Sequence, residues 1–210
     1  MAKIDMGRAR FKIQRRLGVE LPGLGKAGAL ERKPYGPGQH GMQRKKLSDF
    51  TIRLIEKQKV MFNYGLREAQ LRNYVKNSKK VHSGSWVDTM ITTLESRLDN
   101  VVFRLNWAPS TPAARQMVSH KHIKVNGKTV NVPAYIVKPN DVIEISDVGA
   151  RSGNYLQAKQ RPRISSIPAF LSKEATGEKE KAKMVGKPLA EDIPFAFEKR
   201  LVIEYYWKVK

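Results

Sequence analysis

The sequence contains no cysteine, which removes disulfides, thiolate zinc sites and cysteine nucleophiles together. It has no apolar run near the roughly 18 residues that a membrane-spanning helix needs. The opening MAKIDMGRARFK has the positive charge of a signal n-region, but no hydrophobic segment follows it. Histidine is scarce, four in 210 residues. His120 and His122 have no carboxylate at metal-ligand spacing, so neither a metal nor another cofactor is expected. Acidic residues are few as well: 19 Asp and Glu against 40 Lys and Arg leave a formal charge of +21. A compact chain with that surplus repels itself unless a polyanion accompanies it. A membrane surface would call for a strongly amphipathic basic helix with an aromatic face, and none stands out. Nucleic acid is the partner that composition favours.

What is present is unevenly distributed. Residues 1–47 carry twelve Lys and Arg, three acids and ten scattered Gly and Pro between positions 18 and 41. That density of Gly and Pro prevents long helices and strands and predicts an irregular basic arm. A disordered tail is one reading. Phe11, Ile13, Leu17, Leu21, Leu24 and Leu30 supply more apolar anchors than a solvated tail requires and favour an arm ordered on RNA. Arg8, Arg10, Lys12, Arg15 and Arg16 are its candidate contacts, with Gln39 and His40 of PGQHG and the triplet Arg44, Lys45 and Lys46.

From 48 the pattern turns helical. SDFTIRLIEKQKVMFNYG places Phe50, Leu54 and Met61, with Ile55 and Phe62, on one side of a 3.6-residue repeat. Ser48 caps it and Gly65 stops it. Arg53, Lys57 and Lys59 lie on other faces, and a second short helix shows Arg67 and Arg72. Few acids offset these cations, so all five are candidate RNA contacts. A helix opened by Ser85 and Asp88 is predicted to continue through LESRLDNVVFRL, with Leu94, Leu98, Val101, Val102 and Leu105 as its apolar stripe and Arg97 and Arg104 on another face. Ser110 or Thr111 caps the next helix, whose Ala114, Met117 and Val118 point inward.

Residues 119–132, SHKHIKVNGKTVNV, have too little apolar mass for a core of their own. Asn126-Gly127 is a strong type I′ hairpin signal because that turn needs positive φ twice. Its register sets Val125 opposite Lys128, while Lys124 and Thr129 face the other way. AYIVK and VIEIS read as further strands, residues 172–187 as a loop or exposed helix, and LVIEYYWKV (201–209) as a strand.

PGQHG, LSD, EKQKV, RLDNVVFR, RQMVSHKHIKVNG, PNDVI and LVIEYY, in that order, resemble the universal S-four family of small-ribosomal-subunit proteins. Residues 97–145 are similar to the RNA-binding module that several RNA enzymes share. The resemblance implies an α+β fold: a discontinuous helical domain with an inserted module of two helices plus a small antiparallel sheet, and the irregular basic arm. The corresponding division is 1–47 for the extension, 48–96 for the first helical part, 97–150 for the module and 151–210 for the return to the helical domain. It implies a primary binder of small-subunit (16S-type) rRNA that nucleates assembly of the 5′ domain. Its neighbours would be the fifth and third small-subunit proteins, with mRNA near the entrance path and a contribution to translational accuracy. It implies a monomer within the ribosome, in the cytoplasm or an organelle matrix. Many relatives hold zinc on four N-terminal cysteines, which this chain lacks.

In that setting Arg115, Ser119, His120, Lys121 and Lys124 are expected on one concave edge that meets phosphates and sugars, with Lys128 and Arg97 as further candidate RNA contacts. Reversing the charges of Arg115 and Lys121 together is expected to weaken rRNA binding with the fold intact. Two alternatives stand beside this reading. Arg97-Leu98-Asp99 matches the triplet bearing the catalytic aspartate of pseudouridine synthases, but the apolar period runs unbroken past Asp99 and no catalytic constellation accompanies it, so no enzyme is expected. The other is a free RNA chaperone built on the same module.

Overall fold

A computed structural model describes residues 10–43, 46–81, 84–176 and 179–208. These fall into two compact units: the described residues up to Val87 together with Pro194 onward, and Asp88–Ile193.

In the first unit α1 (Arg10–Leu17), a 3-10 turn (Pro22–Leu24) and α2 (Ala29–Arg32) precede α3 (Asp49–Asn63) and α4 (Glu68–Ser78). Composition predicts an irregular arm over 1–47. Instead, its described part carries short helices and buries Leu17, Leu21, Leu24 and Ala29. Gly and Pro limit helix length, as expected, but side chains take over where backbone pairing stops. The fully buried Gln14 accepts from the Leu21 N–H (3.1 Å) and donates to the Lys26 carbonyl (2.8 Å), and Asn63 Oδ1 accepts from the Gly23 N–H (3.0 Å).

Ser48 caps α3 by accepting from the Thr51 N–H (3.3 Å), and Gly65 ends that turn at φ 61°. Phe50, expected inward, is 54% exposed. The buried side is set by Glu56, Lys57, Val60 and Met61, because α3 packs along a helix formed by the C-terminal residues, α10 (Lys199–Lys208). The β-branched and aromatic run predicts a strand over 201–209. Burial of Val202 and Tyr205, one turn apart, against α3 overrides that propensity, and Arg200 pairs with Glu204 at i,i+4 (3.2 Å).

The single helix predicted from 85 to 105 is two, α5 (Trp86–Glu95) and α6 (Leu98–Arg104). At the break Arg97 is extended and bridges Ile136, the Val137 N–H donates to the Ser96 carbonyl (2.8 Å), and the Leu98 N–H to the Tyr135 carbonyl (2.8 Å). Partners distant in sequence replace the i−4 ladder there, while Leu94, Leu98, Val101, Val102 and Leu105 of the expected stripe all stay buried. The AYIVK strand reduces to that one bridge. Arg104, expected on a face away from the apolar stripe, is 2% exposed and donates to Glu95 Oε2 (2.8 Å) and the Asp192 carbonyl (2.5 Å).

After α7 (Thr111–Ser119), capped by Ser110, come β1 (Ile123–Val125), β2 (Lys128–Thr129), β3 (Val142–Ile145), α8 (Asp147–Ala150), α9 (Gly153–Gln160), β4 (Leu171–Thr176) and β5 (Lys179–Met184). The five strands form one antiparallel sheet in the order β2-β1-β3-β5-β4. The segment expected as a loop or exposed helix thus supplies β4 and β5, two paired strands of the sheet. Among the described residues its buried apolar positions are Leu171, Ala182 and Met184, too sparse an alternation against so many Lys and Glu to read as strand. Val125, Ile143 and Ala182 lie in register inward and pack with Leu98, Val102, Met117 and Val118 in the unit's core.

Candidate nucleic-acid interface

The best-defined candidate surface lies where α7 hands over to β1. The Lys121 N–H donates to the Val118 carbonyl (2.9 Å) and the His122 N–H to the Met117 carbonyl (3.0 Å), closing the helix with a Schellman-type turn. Lys121 occupies the left-handed position that glycine usually takes, at φ 63°, a conformation that costs a non-glycine residue about 1–2 kcal/mol. The turn leaves Ser119, His120 and Lys121 exposed, and β1 then sends Ile123 and Val125 into the core and Lys124 to the opposite face. The hairpin that follows has Asn126 at φ 50° and Gly127 at φ 77°, the two positive values a type I′ turn demands. Asn126 Nδ2 donates to Asp141 Oδ1 (2.8 Å), its Oδ1 accepts from the Val142 N–H (2.9 Å), and Lys128 stays exposed.

The His120 and His122 rings meet edge to face, centroids 5.9 Å apart. Burial pushes the His122 imidazole below its ordinary value of 6.5, and the charge of His120 adds to the effect. Gly149 of α8 backs this turn: a Cβ there would lie 2.8 Å from both the Cβ and the carbonyl oxygen of His122, and 3.0 Å from Ile145 Cγ2. Gly149→Ala is therefore expected to destabilise the Asp88–Ile193 unit by about 1–3 kcal/mol through forced repacking. Urea denaturation checks this, and an unchanged midpoint would show the turn has room to give.

Charges on the outer face of the sheet alternate. Thr129, Lys124, Glu144, Lys181 and Glu174 form one row across the strands, with Lys181 Nζ 2.9 Å from Glu144. Lys124 thus has a carboxylate beside it, whereas Lys121 and Lys128 form no ion pair among the described residues.

Arg115 and Arg97 hold different places from those expected. Asp99, 1% exposed, accepts from Arg97 Nε and Nη2 (3.0 and 2.6 Å) and from Arg115 Nη2 (2.9 Å), and it takes the Asn100 N–H as well (2.9 Å). Arg97 is buried and lies outside the candidate surface. The Arg115 side chain keeps about a third of its area exposed, so it can offer an outer edge while anchored inward. The expectation that its charge can be reversed with the fold intact therefore fails on geometry: a carboxylate at 115 would face the buried Asp99. The same arrangement accounts for Asp99 itself, whose carboxylate is buried and held by two guanidinium groups.

In the other unit, four of the five cations on α3 and α4 are matched to acids. Arg53 pairs with Glu204 (2.7 Å), Lys57 with Glu68 (2.6 Å), Lys59 with Glu56 (2.6 Å) and Arg72 with Glu68 (3.3 Å). Lys57 is buried with its ammonium 5.0 Å over the Tyr205 ring, which takes it out of the candidate surface. Arg10 donates to the Leu24 carbonyl (3.1 Å). Arg15 donates to the carbonyls of Tyr35 and Gly36 (both 2.9 Å) and lies over the Tyr35 ring. These contacts hold the PGQHG loop, in which the Gly36 N–H reaches the Gly41 carbonyl and the Gly41 N–H the Gly38 carbonyl (3.2 Å each). A Cβ on Gly41 would sit 2.0 Å from the Gly36 oxygen, so glycine is required for the closure. Gln39 and His40 stand exposed at its tip, and Lys12, Arg16, Lys46 and Arg67 are exposed elsewhere. Arg8, Arg44 and Lys45 lie outside the described residues. Residues 148–173, twenty-six in a row without one acid, form a further cationic stretch.

No helix among the described residues is long and apolar enough to cross a membrane. Residues 7–95 match the family model described as ribosomal protein S4/S9 N-terminal domain, and residues 96–143 match that of the S4 domain. The chain is 53% identical over 197 residues to small ribosomal subunit protein uS4B of Bdellovibrio bacteriovorus, covering 94% of each chain. It is 45% identical to small ribosomal subunit protein uS4 of Nostoc punctiforme (94% of this chain, 95% of the relative) and 41% identical to that of Methylobacillus flagellatus, with the same coverage.

Proposed function

The chain belongs to the uS4 family of small-ribosomal-subunit proteins, bacterial type, and from that premise we propose that it is a structural constituent of the small subunit that binds its rRNA early and nucleates folding of the 5′ domain. The observation that carries this reading is the α7–β1 turn, which displays Ser119, His120 and Lys121 on a rigid scaffold beside the Lys128 hairpin. Such an array suits phosphates and sugars, and contacts of that type fix position on a folded RNA without reading bases. The exposed Gln39–His40 tip is a second contact in this reading. Arg115 contributes its open edge, and Lys12, Arg16, Lys46 and Arg67 add charge. The proposal also includes a place near the mRNA entrance, beside the fifth and third small-subunit proteins, a share in decoding accuracy, a single copy per ribosome in the cytoplasm, and no catalytic role. Enclosure of Asp99 between two arginines supports the last point.

Cosedimentation tests the reading: the chain should remain on small subunits in one copy through a high-salt wash. A pool found mostly free would favour an RNA chaperone instead.

The histidine pair predicts a pH dependence. In the free protein burial and His120 hold His122 below 6.5, so the native state binds fewer protons than the unfolded chain. Its stabilising contribution is present above 6.5 and declines as pH falls through the lower native value. A phosphate beside the rings favours the charged form, so RNA binding takes up protons and tightens as pH falls across the same window. Between pH 7.5 and 5.5, affinity at constant salt should rise on the order of a few-fold, while the melting temperature of the free protein declines. Anisotropy titrations on wild type and His122→Gln would decide, since a flat profile in the wild type removes the rings from the contact.

A further inference from the structure

Beyond the α7–β1 edge, the Asp88–Ile193 unit has a second cationic feature. The stretch 148–173 contains Arg151, Lys159, Arg161, Arg163 and Lys173 and no acid at all. Folding brings an acid to only part of it. Glu180 accepts from the buried Trp107 indole (2.7 Å) and pairs with Lys173 (2.9 Å) and Lys159 (3.1 Å). Those two lysines are thereby tempered. Arg161 and Arg163 have no carboxylate partner among the described residues.

The segment that carries them is built rigidly. Tyr155 and Ala158 bury one side of α9, and Arg161 follows the helix at φ −137° and ψ 76°, outside the helical region that a residue before proline avoids. Pro162 stiffens the next link. Asn106, in the left-handed region at φ 56°, then clamps the chain: its Oδ1 accepts from the N–H groups of Arg163 and Ile164 (3.1 Å each) and its Nδ2 donates to the Ile164 carbonyl (2.9 Å). The Asn106 side chain thereby satisfies three backbone groups, an arrangement that holds the segment in one conformation.

The Arg163 side chain has a loose end. Its Nε is shielded from solvent and has no acceptor among the described residues. A guanidinium N–H shielded without a partner is unfavourable, so this rotamer holds the side chain weakly. Turning outward to an oxyanion would sacrifice no Nε hydrogen bond and would let the guanidinium fork pair with phosphate.

We infer that Arg161 and Arg163, presented by the Asn106-clamped segment after α9, form a second contact with the sugar-phosphate backbone of rRNA. The inference rests on the rRNA-binding reading above. Preorganisation of the backbone matters here because little loop ordering remains to oppose binding. Lys159 and Arg151 add to the field around the contact.

The absence of cysteine makes a direct test available. Gln160→Cys gives the full chain one thiol beside the segment, and an iron chelate attached there should cut naked small-subunit rRNA at a discrete set of nucleotides. Ser119→Cys serves as the reference tether. In parallel, Arg161→Gln/Arg163→Gln should lower rRNA affinity about 10- to 100-fold at low salt and make the log-log salt slope shallower by about 1.5–2, as loss of two phosphate contacts requires. Circular dichroism should be unchanged, because the backbone clamp at Asn106 survives both substitutions. Wild-type affinity and slope in the double variant, or scission from Ser119→Cys without scission from Gln160→Cys, would overturn the second contact and leave the first standing. If the double variant altered only recruitment of a neighbouring protein, the surface would be a protein contact and the RNA assignment would fall. An unaltered chain that ignored rRNA would overturn both readings.

Discussion

Asp99→Ala should lower the stability of the Asp88–Ile193 unit by about 3–5 kcal/mol, the cost of leaving a buried cation without its counter-charge. Arg97 is 4% exposed and has two of its nitrogens on this carboxylate, and the Asn100 N–H loses its acceptor at the same time. Native domains are stable by roughly 5–15 kcal/mol, so the loss is a large fraction of the total. Urea denaturation followed by circular dichroism reads the effect. A loss below about 1 kcal/mol would mean that Arg97 finds another partner or reaches water. A compensated variant separates pair from packing: with Arg97 and Asp99 both replaced by apolar residues of similar volume, most of the stability should return. Arg115→Gln alone should cost much less, because that side chain is a third exposed. Reversal of Arg115 would mix a binding defect with a folding defect, so Lys121 and Lys128 are the cleaner positions for probing RNA contact.

The second large effect is on rRNA affinity itself. A protein engaging six to ten phosphates should lose about 10³- to 10⁵-fold in affinity between 50 and 200 mM salt, through counterions no longer released on binding. The net charge of +21 makes such a number of contacts available, provided enough cations are unpaired. Structure decides which are. Arg53, Lys57, Lys59 and Arg72 have carboxylates within 3.3 Å, so their substitution should change the salt slope little. Lys121→Gln/Lys128→Gln should reduce it by about 1.5–2. Filter binding on purified small-subunit rRNA across four salt concentrations distinguishes these cases. An affinity indifferent to salt would rule out backbone contact as the basis of binding.

The sequence was most legible where chemistry is local. Ser48 and Ser110 cap their helices because a short side-chain oxygen ahead of a helical run has an N–H within reach. Asn126-Gly127 turns as expected because two successive positive φ values suit few other pairs. It was least legible where distant segments compete. The strand expected at the C-terminus is a helix, because Val202 and Tyr205 are buried where it packs along α3. The helix expected through Arg97 breaks, because the carbonyl of Tyr135 and the N–H of Val137 offer hydrogen bonds there that no local pattern records. The candidate site shows the same division. Exposed Ser119, His120, Lys121 and Lys128 follow from a helix stop and a turn. The withdrawal of Arg97 and Lys57 depends on Asp99, Glu68 and Tyr205 being brought to them.

By itself, then, the amino-acid order determined the partner class, through a charge balance that holds however the chain folds, and the positions of caps and hairpin, through interactions spanning three or four residues. Which cations remain available was settled only in three dimensions. An arginine looks the same in a sequence whether its guanidinium meets water or a buried carboxylate, and only the packing that brings the second group within about 3 Å removes its charge from the surface.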